Sequence, residues 1–220
     1  HWNHHTEQLY HQLVAQADDQ VSRMIEAMRQ FIGPNQMMAY LVMMAARLVE
    51  LHRVLKPTGS LYLHCDPTAS HYLKVVLDTI FGPQTYRNEI IWKRTSSHND
   101  ARRRFADVSD VIYLYSKGQI YTFNPQYTAY SDEYLTKFYR YVDSQGRRYR
   151  LSDLRSPNPR PNLMYEYKGY KPHPNGWAVS YEKMETLEQE GRLFFPKKAD
   201  GRIQLIRYLD ERLGMPVSNV

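Results

Sequence analysis

A single cysteine in 220 residues, Cys65, excludes an internal disulfide and any zinc site built on several thiolates, and it fits a reducing, cytoplasmic setting. No apolar run approaches the length that crosses a bilayer, and the first residues lack the charged-then-apolar order of a secretory signal. Internal repeats and low-complexity linkers are absent as well, which excludes a stacked array or a tether. Ligands for a metal are also scarce. His1, His4, His5 and His11 cluster near one end, but zinc needs three or four ligands in fixed geometry and no cysteine or acidic residue has matching spacing, so no metal is expected.

What the chain does have is a globular composition, 42% hydrophobic and 13% aromatic, in a length that can bury one good core or a core plus a smaller subdomain. Its net charge of +6 is unevenly placed. Residues 1–92 hold seven Lys and Arg against eight Asp and Glu, whereas residues 93–220 hold 22 against 15, together with 14 of the 19 tyrosines. Basic and aromatic side chains interleaved in this way suit a surface that meets both phosphates and bases.

The stretch from Leu51 to Lys74 is the most informative. Pro57 and Gly59 stop a helix, and the run Leu61, Tyr62, Leu63 is short and apolar, a buried strand or a stub of core helix, with the turn chemistry favouring the strand. That strand carries His64, Cys65 and Asp66 to its C-terminal end, the place where open α/β sheets bind ligands. Asp66 then stands where an N-cap belongs, Pro67 fits the first helical position, and Tyr72, Leu73, Val76, Leu77 and Ile80 repeat on one helical face until Gly82-Pro83. Arg87 to Arg94 supplies a second strand, ending in Trp92, Lys93 and Arg94, and two strands separated by a helix imply a βαβ crossover.

Upstream, a broken apolar stripe predicts helix over 7–32, Gly33-Pro34 interrupts it, and Asn35 can cap a helix over about 35–55, with its methionines as core filler. Beyond Lys117 turn signals come quickly. Short aromatic strands are expected at 119–123, 148–151 and 163–167, then a helix over 181–189 capped by Ser180 and ended by Gly191, then a strand at 192–195. The chain therefore divides into residues 1–117 and a small α+β subdomain, 118–220.

Three blocks, LKPTGSLYLHCDPTASHYLK (55–74), FGPQTYRNEIIWKR (81–94) and DVSDVIYLYSK (107–117), resemble in order and spacing the middle of a β-class site-specific DNA methyltransferase, above all the adenine-N6 enzymes of the type III modification-subunit kind. The resemblance covers roughly residues 35–117 and extends more loosely beyond. It implies an α/β fold, part of a doubly wound Rossmann-like methyltransferase sheet with an appended target-recognition subdomain, S-adenosyl-L-methionine as methyl donor, double-stranded DNA as partner, and room for a restriction subunit or a second copy. Two of the family's motifs are missing: no D-P-P-[YF] tetrapeptide and no F-x-G-x-G loop occur. In the family's order they fall just outside the two ends, so the chain is expected to be an internal fragment, inactive alone and with no cofactor-binding residue assignable. The cytosine-N4 enzymes of the same class and a noncatalytic DNA-binding module remain as alternatives.

Candidate site residues follow. Asp66, His64 and Trp92 are expected in supporting roles along the cleft, with Asp66 also a helix cap and Trp92 a stacking contact or a core residue. Cys65 is expected to be a buried small hydrophobe, because transfer to an amine needs no covalent enzyme intermediate. Arg94 and the run Arg102, Arg103, Arg104, in a polar loop between two strands, suit phosphate contact. So do Arg147, Arg148, Arg150, Arg155, Arg160 and Lys171 further on, where arginine beside asparagine could also read base edges.

Overall fold

A computed structural model describes residues 2–16, 19–96, 105–198 and 201–220. The chain forms two compact units, His1–Asn124 with Ser218–Val220, and Pro125–Val217.

The first unit opens with α1 (His4–Gln16) and α2 (Asp19–Ile32), so the helical stretch expected over 7–32 is two helices. A buried stripe of Val21, Ile25 and Met28 faces the core from α2, and Arg29 ties the pair together: its guanidinium lies 2.8 Å from a Glu7 carboxylate oxygen and 4.2 Å from the Tyr10 ring centroid. Next comes α3 (Gln36–Val54), capped by Asn35, whose side-chain oxygen accepts from the Met38 amide at 3.0 Å. Met38 itself is fully buried, as filler should be.

Three strands make the sheet of this unit: β1 (Ser60–Cys65), β2 (Tyr86–Lys93) and β3 (Ser109–Ser116), with α4 (Pro67–Phe81) between the first two. The order is β1-β3-β2, and β3 is antiparallel to both neighbours. β1 and β2 therefore run parallel, as a crossover helix requires, but β3 lies between them. Leu61, Leu63, Cys65, Tyr113 and Tyr115 turn toward the helices and pack with Leu41, Leu48, Leu73 and Leu77. The period of two then puts Tyr62, His64 and Trp92 on the opposite face, where all three are exposed. Asn219 runs along the outer edge of β2, its carbonyl accepting from the Ile91 amide at 2.9 Å.

The second unit contains β4 (Tyr127–Thr128), α5 (Asp132–Phe138), β5 (Tyr141–Val142), β6 (Arg148–Asp153), α6 (Tyr181–Gln189), β7 (Leu193–Phe194), β8 (Gln204–Tyr208) and β9 (Met215–Pro216). Its main sheet has the order β5-β6-β8-β7, all antiparallel, and β4 pairs with β9. Leu154, Leu163, Tyr167, Trp177, Met184, Leu187, Leu193 and Ile203 form its core. β6 and α6 stand where the sequence puts them.

Two expected strands are not strands. At 163–167 Pro161 opens a 3-10 turn, the Leu163 carbonyl accepts from the Trp177 amide at 3.0 Å and the Tyr165 carbonyl from the Trp177 indole at 2.8 Å, so the backbone partners are spent outside any ladder. At 119–123 an arginine takes the carbonyls: an Arg87 Nη donates to Gly118 at 2.9 Å and to Gln119 at 3.3 Å, with the guanidinium over the Tyr121 ring. Aromatic content alone supplies neither burial nor a partner strand: Ile120 and Phe123 stand open to solvent.

Candidate functional site at the end of the three-stranded sheet

β1 and β2 both end at the edge of the sheet where β3 begins, so the last residues of two strands meet the first residues of a third. Register does the rest. Trp92 lies opposite Asp110, while His64 and Ile90 both lie opposite Ile112, which places His64, Trp92 and Asp110 on one face at one end.

Asp110 is the centre of this arrangement. Its side chain is 8% exposed, yet its two oxygens meet an imidazole and a guanidinium: Oδ2 lies 3.0 Å from His64 Nε2, and Oδ1 lies 3.1 Å from Arg94 Nη1. The Arg94 contact is an ion pair off the hydrogen-bond line, so the buried Oδ1 keeps an acceptor direction without a hydrogen bond. Arg94 is also fixed from its backbone, donating to the Val108 carbonyl at 2.9 Å. Beside them the Trp92 indole is 58% exposed. A large aromatic ring thus stands open next to a buried carboxylate.

Asp66 is a cap. Its Oδ1 accepts from the amides of Thr68 at 2.9 Å and Ala69 at 3.1 Å, with Pro67 at the first helical position, so it serves the first turn of α4. Cys65 points the other way, into the core; burial and the neighbouring Asp66, Glu89 and Asp110 carboxylates push its thiol up to about 11. A thiol held neutral to that degree is no nucleophile at ordinary pH. Tyr40 on α3 is nearby, its hydroxyl pushed up by burial and then by Cys65 and Asp66. Tyr40 also lines an apolar groove of about 990 Å³ between α1 and α3, with Leu9, Met43, Leu51 and Val54. Size alone favours that groove. The convergence of a buried carboxylate, an imidazole, a guanidinium and an open indole favours the sheet end.

The structure thus joins His64, Trp92 and Arg94 and leaves Asp66 to its helix. Sequence reasoning passed over Asp110, although one signal was there: a carboxylate two residues inside an otherwise apolar strand must have partners. Arg102, Arg103 and Arg104 lie outside the described residues.

The other expected DNA contacts belong to the second unit and differ in what they already hold. Arg147 is bound to Asp210 through Nε at 2.8 Å, reaches Glu211, and its guanidinium charge is held more firmly for that. Arg148 Nε donates to the Tyr139 carbonyl at 3.1 Å, and Arg155 lies 3.8 Å from Asp153. Arg160 and Lys171 are exposed. Arg150 is half-buried with one Nη 3.5 Å from the Tyr134 hydroxyl. Among the described residues no group of three or more His, Cys, Asp or Glu could hold a metal, and no helix is long and apolar enough to cross a membrane.

Comparison with known proteins settles the family. A DNA methylase family model matches residues 17–200. The chain belongs to the DNA methylase family. It is 32% identical over 178 residues to the type II methyltransferase M.EcaI of Enterobacter cloacae, covering 80% of this chain and 39% of that protein. It is 26% identical over 195 residues to the Mod subunit of the type III restriction-modification enzyme StyLTI of Salmonella typhimurium, covering 85% and 29%, and 27% identical over 134 residues to the type II methyltransferase M.KpnI of Klebsiella pneumoniae, covering 60% and 31%. The chain thus spans well under half the length of these relatives, while the DNA methylase match takes in the sheet end and most of the second unit.

Proposed function

We propose that this DNA methylase segment contributes one wall of the target-base cleft and the target-recognition structure of an S-adenosyl-L-methionine-dependent DNA methyltransferase, adenine-N6 by preference. The observation that carries the reading is the open Trp92 indole beside buried Asp110, at the strand ends where an α/β sheet binds ligands. A base taken out of the duplex needs an aromatic face and polar groups around its edge. Trp92 offers the face. Asp110, with an acceptor direction free on Oδ1, holds His64 and Arg94 at the rim, where Arg94 can meet the phosphate next to an extruded nucleotide.

The methyl donor is another matter. The chain has neither D-P-P-[YF] nor a Gly-x-Gly loop, so its residues do not fit a donor site by themselves, and no transfer step is drawn through them. The sheet described here would be part of a larger doubly wound one, with residues 118–220 as the recognition subdomain. Likeness to a Mod subunit supports a restriction subunit as partner of the complete protein.

Binding to duplexes that carry a mismatched or missing base tests the cleft, since an easily extruded site costs less to open. The chain should prefer such a duplex over a matched one, and Trp92→Ala should erase most of that preference, about tenfold for the loss of one base stacking contact. Equal binding to both duplexes would sink the assignment. N6-methyladenine, rather than N4-methylcytosine, is the product expected in DNA treated with the complete protein.

A further inference from the structure

Like charges directly opposite each other on a sheet repel, and the second unit places two arginines in that position. Arg150 on β6 and Arg207 on β8 are cross-strand partners on the face whose other end, at Leu154, Ile203 and Leu205, forms the core. Both are half-buried, and the Nε of each is buried without a hydrogen-bond partner. Neither has a carboxylate within ion-pair distance among the described residues, and the carboxylates of Asp210 and Glu211 are paired with Arg147 and Arg192. Arg212 adds a third cation close enough to disfavour the charge on Arg207. Burial first, and then Arg212 and Arg150, bring the Arg207 guanidinium below its ordinary range.

The rest of the surroundings are donors and rings. The Tyr134 hydroxyl lies 3.5 Å from an Arg150 Nη, the Tyr139 ring sits under the Arg150 guanidinium, and Tyr130 is stacked on Tyr134 at 5.0 Å. Two half-buried guanidinium groups side by side on one sheet face, with a tyrosine hydroxyl beside Arg150 and no carboxylate paired to either, suit an anion that supplies the charge the fold omits.

We propose that Arg150 and Arg207, with Arg212 at the rim, clamp one phosphodiester of the DNA backbone. A phosphodiester offers two non-bridging oxygens and one negative charge, one oxygen for each arginine. The contact fixes where the duplex lies on the recognition unit and reads no base. This rests on the DNA-contact reading above and adds to it a defined site, which includes two arginines, Arg207 and Arg212, that the basic clusters of the sequence did not single out.

The whole 220-residue chain serves for the test, as wild type and as the Arg150→Gln, Arg207→Gln and double variants. One arm measures duplex affinity across a potassium chloride series. The double variant should bind less tightly by a similar factor on every duplex sequence, and the slope of log affinity against log salt should become shallower by about one, the signature of one lost phosphate contact. The other arm measures thermal unfolding in inorganic phosphate against chloride at equal ionic strength. Phosphate should raise the wild-type midpoint and leave that of the double variant unmoved, while in chloride the variants should melt at or above the wild-type temperature because the repulsion is gone. Duplex binding with an unchanged slope in a folded double variant would overturn the clamp and leave the wider DNA reading standing. A wild type that gains stability from phosphate but binds no duplex would overturn the DNA reading and leave an anion site for some other phosphate.

Discussion

Asp110 earns its place by what it holds. Each of its two pairs has one half-exposed partner, His64 or Arg94, and such pairs add little to stability when water screens one side. Asp110→Asn should therefore cost only about 1 kcal/mol in urea unfolding. Its larger effect should be on position: with Arg94 and His64 released, preference for a mismatched duplex should fall as it does for Trp92→Ala. Cys65 carries a sharper expectation. A thiol pushed up from 9.0 to about 11 is ionised at pH 8 roughly a hundredfold less than an unshifted one, so iodoacetamide should alkylate the folded chain about that much more slowly than the chain in denaturant. The same shift sets a pH dependence. The folded state favours the protonated thiol, so the contribution is complete below pH 9 and is lost as pH rises from 9 through about 11, on the order of 2 kcal/mol in all. Thermal unfolding of Cys65→Ala across that window should lack this part of the decline.

At the scale of elements, α4 links the two site strands, and its start is fixed by one side chain. Asp66→Ala removes both hydrogen bonds to the first turn and should cost about 1 kcal/mol, visible as a fall of a few degrees in the melting midpoint. If Asp66 were more than a cap, the variant would also lose its preference for mismatched duplexes beyond what the lost stability explains; with the cap alone that preference should survive. Much of this was legible. Asp66-Pro67 and Gly82-Pro83 mark the two ends of α4, and Ser180 and Gly191 bracket α6, because caps and breakers act within a few residues. Helical stretches defined by apolar stripes were also visible, although the stripe over 7–32 hid the division into α1 and α2. The aromatic runs at 119–123 and 163–167 misled, since their backbone partners, Arg87 and Trp177, are distant in sequence.

For the whole molecule, charge and missing motifs carry the expectations. The basic excess falls in residues 93–220, so duplex binding should weaken steeply with salt. Incubated with duplex DNA and S-adenosyl-L-methionine carrying a labelled methyl group, the 220-residue chain should leave the DNA unlabelled, because neither D-P-P-[YF] nor F-x-G-x-G is present to hold the amine and the donor. Label in the DNA would show that other residues do that work. The open indole lies in one compact unit and the paired arginines in the other, so the proposed base cleft and the proposed phosphate clamp can be altered independently.

By itself the sequence determined what acts locally or survives as pattern: the blocks at 55–74, 81–94 and 107–117 that mark a DNA methylase, the strand that ends in His64 and Cys65, the Asp66 cap on α4 and the skewed charge. Only tertiary structure decided that β3 inserts between β1 and β2, since strand pairing is a choice among distant partners that no local preference encodes. The two sites depend on that kind of choice. Asp110 meets His64 across 46 positions and Arg150 meets Arg207 across the β6–β8 ladder, and in both cases register, not sequence proximity, brings the side chains together.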